Sequence, residues 1–351
     1  MQIALVRNDS HRLETVDQLR GLAALAVGWY HFTNVRSFLP EGWIKESGSS
    51  GWLGVEVFFV ISGFILPWAL YRAGYRLRHF ARFLAKRILR LDPPYLVTLV
   101  LLIGLAFLGW ARHGFQADQL HLSFPQVFLH LGYLNAFFGY EWLSPVFWTL
   151  AIEFQYYLLL GLLFPLLIHT NMIVRLSALS VLGALAFVFP QSAFVFHFMF
   201  LFLLGIATFY RKTGQIGNRT FLALLIVFGI GCTCTLSPLI AIVGAATATS
   251  ISYTKLNIRP LRFLSRISYS FYLLHGTIGG ILITQVMRVT ENPSLRVTFL
   301  PVIFGLSILG SWVLYRWVEL PAQRWSSSIR YSSVEKETFR TNLPGDAGIA
   351  A

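Results

Sequence analysis

A chain of 351 residues that is 56% hydrophobic and 12% charged, with a mean hydropathy of +0.63, is too oily for a soluble globular protein. Its net charge of +13 does not point to nucleic acid, because the cations fall in short stretches between apolar runs and not along one soluble face. The composition predicts an all-α integral membrane protein, and 31 Phe, 14 Tyr and 10 Trp fit side chains that meet the bilayer interface.

Met1 to Asp17 is polar and lacks the pattern of a cleavable leader, so the first span is expected to direct insertion. A helix crosses a hydrocarbon core of about 30 Å with about 20 mostly apolar residues. About ten such runs, forming one bundle, are expected near 19–36, 52–71, 91–110, 145–168, 173–190, 193–210, 220–236, 238–254, 268–288 and 296–318. This divides the chain into a cytoplasmic segment 1–18, a membrane domain 19–325 and a polar tail 326–351 expected to be disordered. The stretch 74–90, where cations alternate with aromatic and aliphatic residues, reads as an amphipathic segment on the membrane surface, with Pro93 and Pro94 opening the next span. The loop 111–144 is long, aromatic and His-containing, and is expected to fold against the membrane.

Short cytoplasmic loops carry the excess of Lys and Arg. With a cytoplasmic N-terminus, the inner segments hold Arg72, Arg76, Arg78, Arg82, Lys86, Arg87, Arg90, Arg211, Lys212, Arg219, Lys255, Arg259, Arg262, Arg266, Arg324 and Arg330. The outer ones hold the scattered Arg36, Lys45, Arg112, Arg288 and Arg296. An even number of spans then places both termini in the cytoplasm.

Ionisable groups inside spans are costly and become functional candidates: His31, Glu56, Glu153, His197 and His275. Arg20 and His31, eleven residues apart, share one helical face about 16 Å apart along the axis. By depth alone His31 and Glu153 reach the same level of the bilayer, and a carboxylate beside a buried imidazole suits base catalysis on a hydroxyl; packing of a buried His with a buried Glu is an equally good reading of the spacing. Glu56 suits helix packing at least as well as catalysis, His275 lies nearer the inner surface where it lines a donor path or caps a polar interface, and His197 reads as structural. Arg87 and Arg90, one helical turn apart, either attract anionic lipid or hold a phosphate-bearing molecule. Cys232 and Cys234 sit two apart in an apolar run, so neither a disulfide nor a metal site follows.

Several stretches resemble, in order, the signatures of the acyltransferase-3 group of multi-pass membrane acyltransferases. They are Leu19-Arg20-Gly21 running to His31, Gly54 to Phe64, Arg87-Ile88-Leu89-Arg90-Leu91-Asp92-Pro93-Pro94-Tyr95, Trp148 to Tyr157 around Glu153, Ser268 to His275, and Val318-Glu319-Leu320-Pro321. The resemblance covers the chain to about residue 325. It implies transfer of an acyl group, commonly acetyl, from cytoplasmic acyl-CoA to a hydroxyl reached from the outer side. His31 would be essential, with Arg20, Arg87 and Arg90 on the donor side. From the residues themselves, His31 is expected to act as general base or as a transient acyl carrier with Glu153 orienting or charge-balancing it, Glu56 and His275 are substrate-side candidates, and no ligand cluster has metal spacing. The acceptor class implied is a carbohydrate or glycoconjugate, in the inner membrane of a bacterium. Many members carry two acids in the fourth-span motif, whereas Phe154 follows Glu153 here. The runner-up is a transporter of a lipid-linked sugar or related amphiphile, against which stands the lack of two related halves.

Overall fold

The structure is a computed structural model and describes residues 2–34, 38–112, 122–256, 258–329 and 331. Arg36, Arg330, part of the loop 111–144 and the tail beyond Ile329, except Tyr331, lie outside the described residues. What is described is helical, with no strand among it. The helices are α1 (Gln2–Asn34), α2 (Trp43–Gly48), α3 (Gly54–Arg72), α4 (Phe80–Arg112), α5 (Phe124–His130), α6 (Phe147–Leu167), α7 (Met172–Val188), α8 (Met199–Lys212), α9 (Asn218–Thr235), α10 (Pro238–Tyr253), α11 (Arg259–Val289), α12 (Pro293–Leu314) and α13 (Leu320–Ser328).

Among the described residues, seven helical stretches are long and apolar enough to cross a membrane: Trp43–Arg72, Leu77–Arg112, Phe147–Leu167, Val195–Lys212, Asn218–Thr235, Pro260–Val289 and Pro293–Ser328. Helices α7 and α10 are apolar but shorter, and α1 begins in polar sequence, so these three account for the difference from the expected ten. The boundaries expected for the crowded centre of the chain, 173–190 and 238–254, differ from α7 and α10 by no more than two residues at either end.

Two boundaries differ from expectation. The stretch 74–90 is not a separate surface segment: after a 3-10 turn at Leu77–His79, α4 runs without a break through Pro93 and Pro94. Two prolines withdraw the N–H donors that the Leu89 and Arg90 carbonyls would otherwise receive, and beside them the Tyr269 hydroxyl ties α11 to α4 by donating to the Leu91 carbonyl at 2.8 Å. The last span likewise continues through a π-helical turn at Tyr315–Glu319 into α13, so helix persists to Ser328, inside the stretch expected to be disordered.

Glycines let the helices that frame the centre approach closely. A Cβ at Gly21 would lie 2.5 Å from the Leu261 carbonyl oxygen, and one at Gly28 would lie 2.6 Å from the Phe271 ring, so α1 and α11 meet backbone to backbone. The α3 and α8 pair is closed the same way by Gly63 against Phe202 and Gly205 against Val60. At one end of the bundle, Thr15 and Gln18 donate to the carbonyls of Thr254 and Leu256, Arg211 covers the Tyr253 ring, and Ser326 donates to the Lys86 carbonyl. The start of α1, α4 and α11 and the end of α8, α10 and α13 therefore gather there with their cations, forming a basic end. At the other end, His130 clamps the loop around α5. Its Nδ1 donates to the Gln126 carbonyl at 2.7 Å and its Nε2 accepts from the Leu143 N–H at 3.1 Å, while burial lowers its pKa from the usual imidazole value.

Candidate active site

A cavity of about 180 Å³ opens between α1, α3, α4, α6 and α11. Its polar wall is Arg20, Arg87, Arg90, Glu153 and Ser62, and its apolar wall includes Phe58, Phe59 and Tyr272. The sequence motifs thus converge: Arg20 comes from α1, Arg87 and Arg90 from one turn of α4, and Glu153 from the first third of α6.

Each charge has an environment set by its helix. The Arg87 guanidinium lies over the rings of Phe83 and Tyr157, at 5.5 and 5.8 Å, and its Nε is buried with no hydrogen-bond partner among the described residues. A buried guanidinium N–H without an acceptor is expensive, and an anionic oxygen is the group that would relieve it. Tyr157, one turn along α6 from Glu153, donates to Glu153 Oε1 at 2.5 Å, and Ser62 donates to the same oxygen at 3.1 Å. Glu153 is therefore the inner anchor of a chain running Ser62, Glu153, Tyr157, Arg87 along one wall.

A second cavity of about 270 Å³ shares Arg20 and Arg90 with the first and opens at the basic end. It is lined further by Glu14, Asp17, Arg262, Ser265, Arg266, Tyr315, Glu319 and Gln323. Glu319 organises this wall: its Oε2 accepts from the Ser270 N–H and hydroxyl at 3.2 and 2.5 Å, its Oε1 accepts from Gln323 at 2.9 Å, and it lies close enough to Arg20 and Arg90 to interact with their charge.

His31 and His275 form a separate pair. Their rings lie 5.1 Å apart, His275 is fully buried, and Tyr30 is the other ring against His31. Tyr272 links the pair to the cavity: it lines the cavity wall, its hydroxyl meets that of Thr149 at 2.8 Å, and its ring lies 6.0 Å from His275. The meeting of Glu153 with His31 expected from depth does not occur, since Glu153 turns to Ser62 and Tyr157 and His31 turns to His275. Depth along the bilayer does not say which way a side chain points. Glu56 is buried, with Oε2 unpartnered among the described residues, but it is absent from the cavity wall that its neighbours Val55, Phe58 and Phe59 line. One turn on, the Val60 side chain meets Gly244 of α10, while Glu56 lies near enough to Cys232 of α9 and to Tyr272 of the cavity wall to interact with both. His197 lies edge-on to Phe198 at 4.6 Å, a packing contact.

The model of the acyltransferase-3 family, described as an acyltransferase domain, matches residues 13–316. The chain belongs to this family. Among its relatives is a protein named as the membrane-bound transacylase BcsY of Komagataeibacter xylinus, 30% identical over 48% of this chain and 43% of that protein. Another is the O-acetyltransferase OatA of Staphylococcus aureus, 26% identical over 89% of this chain and 57% of that protein. The chain thus spans about half the length of these relatives. No solved structure matches it.

For an acyltransferase-3 member, two features of the site were not legible as site residues. Asp17 and Glu319 line the outer cavity, yet both fall just beyond the expected ends of their spans and so escaped a search for intramembrane charges. The signal for Glu319 was present in the closing Val318-Glu319-Leu320-Pro321 stretch, as a carboxylate at the end of a long apolar run. Among the described residues no group of three or more His, Cys, Asp or Glu is placed to hold a metal ion.

Proposed function

We propose that this chain is a membrane-bound O-acyltransferase that moves an acyl group, acetyl in the simplest case, from cytoplasmic acyl-CoA to a hydroxyl of a carbohydrate or glycoconjugate. Its setting is the bacterial inner membrane, with both termini in the cytoplasm. The observation that supports the reading is the orphaned Arg87 Nε in an inner aromatic cavity, beside Arg20 and Arg90, which that cavity shares with an outer polar one. Phosphates seek such guanidinium groups, while the thin thioester arm suits the apolar chamber beyond. The names of the relatives, a transacylase and an O-acetyltransferase, support the same class of reaction.

In the proposed step the acceptor oxygen attacks the thioester carbonyl carbon as His31 takes the hydroxyl proton. The new C–O bond replaces the C–S bond, and the proton passes from His31 to the departing thiolate. Glu153 holds the wall of the donor cavity through Tyr157 and Ser62, and so acts on the donor rather than on His31. Purified protein in nanodiscs is expected to release free CoA from acetyl-CoA in the presence of a sugar acceptor, and folded His31→Ala to lose that release by at least ~100-fold. Full activity in His31→Ala would reject His31 as the centre. Absence of turnover with every acyl-CoA, alongside binding of a lipid-linked sugar, would favour transport instead.

A further inference from the structure

Among the described residues no carboxylate is seen to pair with His31 as one usually does with a catalytic imidazole, and a second imidazole lies beside it instead. His275 Nδ1 lies 2.8 Å from the Phe271 carbonyl oxygen one turn back on α11. A carbonyl can only accept, so Nδ1 carries the proton and Nε2 keeps its lone pair. That Nε2 is buried and has no hydrogen-bond partner among the described residues. A buried acceptor left open is costly, and of the rings around His275 the one that can donate an N–H is His31, 5.1 Å between centroids with the planes inclined at 50°. Two imidazoles joined by an N–H···N bond of about 2.9 Å have centroids about 5 Å apart. The spacing therefore permits such a bond, which a rotation of the His31 ring would complete.

The spacing is also held rigidly. Gly28 admits the Phe271 ring, and Gly279 admits the Phe32 ring, so the histidines sit on two interlocked helices that cannot slide past each other without a clash. Phe271 and Phe32 flank His275 at 5.3 and 6.2 Å, which keeps its ring in place and water away.

We infer that His275 is a positioning residue for His31: its Nε2 accepts one N–H of His31, which fixes the tautomer and leaves the other ring nitrogen to take the acceptor's proton. The inference rests on the proposed role of His31 as base. With His275 neutral, the positive charge that His31 acquires is shared across the N–H···N contact, as a carboxylate would share it in a Ser-His-Asp triad.

The test uses the full chain in nanodiscs with acetyl-CoA and the acceptor that supports turnover. His275→Phe keeps an aromatic ring but removes the acceptor; His275→Gln returns an acceptor oxygen near the Nε2 position. His275→Phe is expected to lower kcat by at least ~100-fold while KM for the donor changes by less than about two-fold, and His275→Gln to recover at least about ten-fold of the loss. Independently of turnover, imidazole-¹⁵N spectra should show a single His31 tautomer in the wild type and a mixture in His275→Phe, with the His31 signals assigned by their loss in His31→Gln. Unchanged His31 signals in folded His275→Phe, or a kcat equal in the Phe and Gln variants, would overturn the inference. Because the spectra need no substrate, a failure of the acyltransferase reading would leave this arm standing on its own.

Discussion

The Arg87 side chain shows how a single residue can be assigned before any ligand is seen. Its guanidinium lies over the rings of Phe83 and Tyr157, and one of its N–H groups is buried with no acceptor among the described residues, a combination that costs stability unless an acceptor completes it. Arg87→Gln should therefore raise the donor KM by about ten-fold or more, consistent with about 1.5–3 kcal/mol for a charged hydrogen bond, and change kcat less; a steady-state titration of acetyl-CoA separates the two. Arg20, Arg87 and Arg90 were legible in the sequence because their spacing alone puts them at one surface of the membrane. The partner of Glu153 was not, since Tyr157 and Ser62 become its neighbours only through the rotation of α6 about its own axis and the approach of α3. His275 was legible as a costly buried group, but its use depends on which helix it faces.

At the scale of elements, close helix contacts decide where side chains can stand. Gly21 has the Leu261 carbonyl where a Cβ would go, and neither backbone can yield easily. Gly21→Ala should destabilise by about 1–3 kcal/mol, whereas Gly104, which has open space around it in α4, should tolerate Ala or gain up to about 1 kcal/mol from helix propensity. Thermal unfolding of both variants in the same detergent makes the comparison. The α5 loop gives a prediction of opposite kind. Burial lowers the His130 pKa, so the unfolded state binds a proton more readily, and the clamp holds fully above the ordinary imidazole value and weakens as pH falls through it. The protection factor of the Leu143 amide, its exchange rate relative to the intrinsic rate at the same pH, should fall as pH drops below about 6.5, and that fall should vanish in His130→Gln. The path of α4 through two prolines was not legible, because proline usually ends a helix in water; within a bundle, packing against neighbouring helices makes the continuous form tolerable. The π-helical turn at Tyr315–Glu319 was equally hidden, and it is what aims Glu319 at Ser270.

At the scale of the whole molecule, the segregation of cations to one end is the basis of the proposed orientation. In a variant lacking both native cysteines, Glu291→Cys, between α11 and α12, should react with an impermeant maleimide added to intact cells. Ser327→Cys, in α13 at the basic end, should react only after permeabilisation. The reverse pattern would invert the proposed topology. The overall helical bundle was legible from hydropathy because lipid demands long apolar runs, and the number of full spans was less so because α7 and α10 are shorter than an isolated crossing requires. The two cavities share Arg20 and Arg90 as a common wall. Under the proposed reaction, the spent carrier leaves by the way its charged form came in, so each catalytic cycle clears a single doorway before the next donor enters, and a cell's ratio of free to acylated CoA becomes a brake on the enzyme.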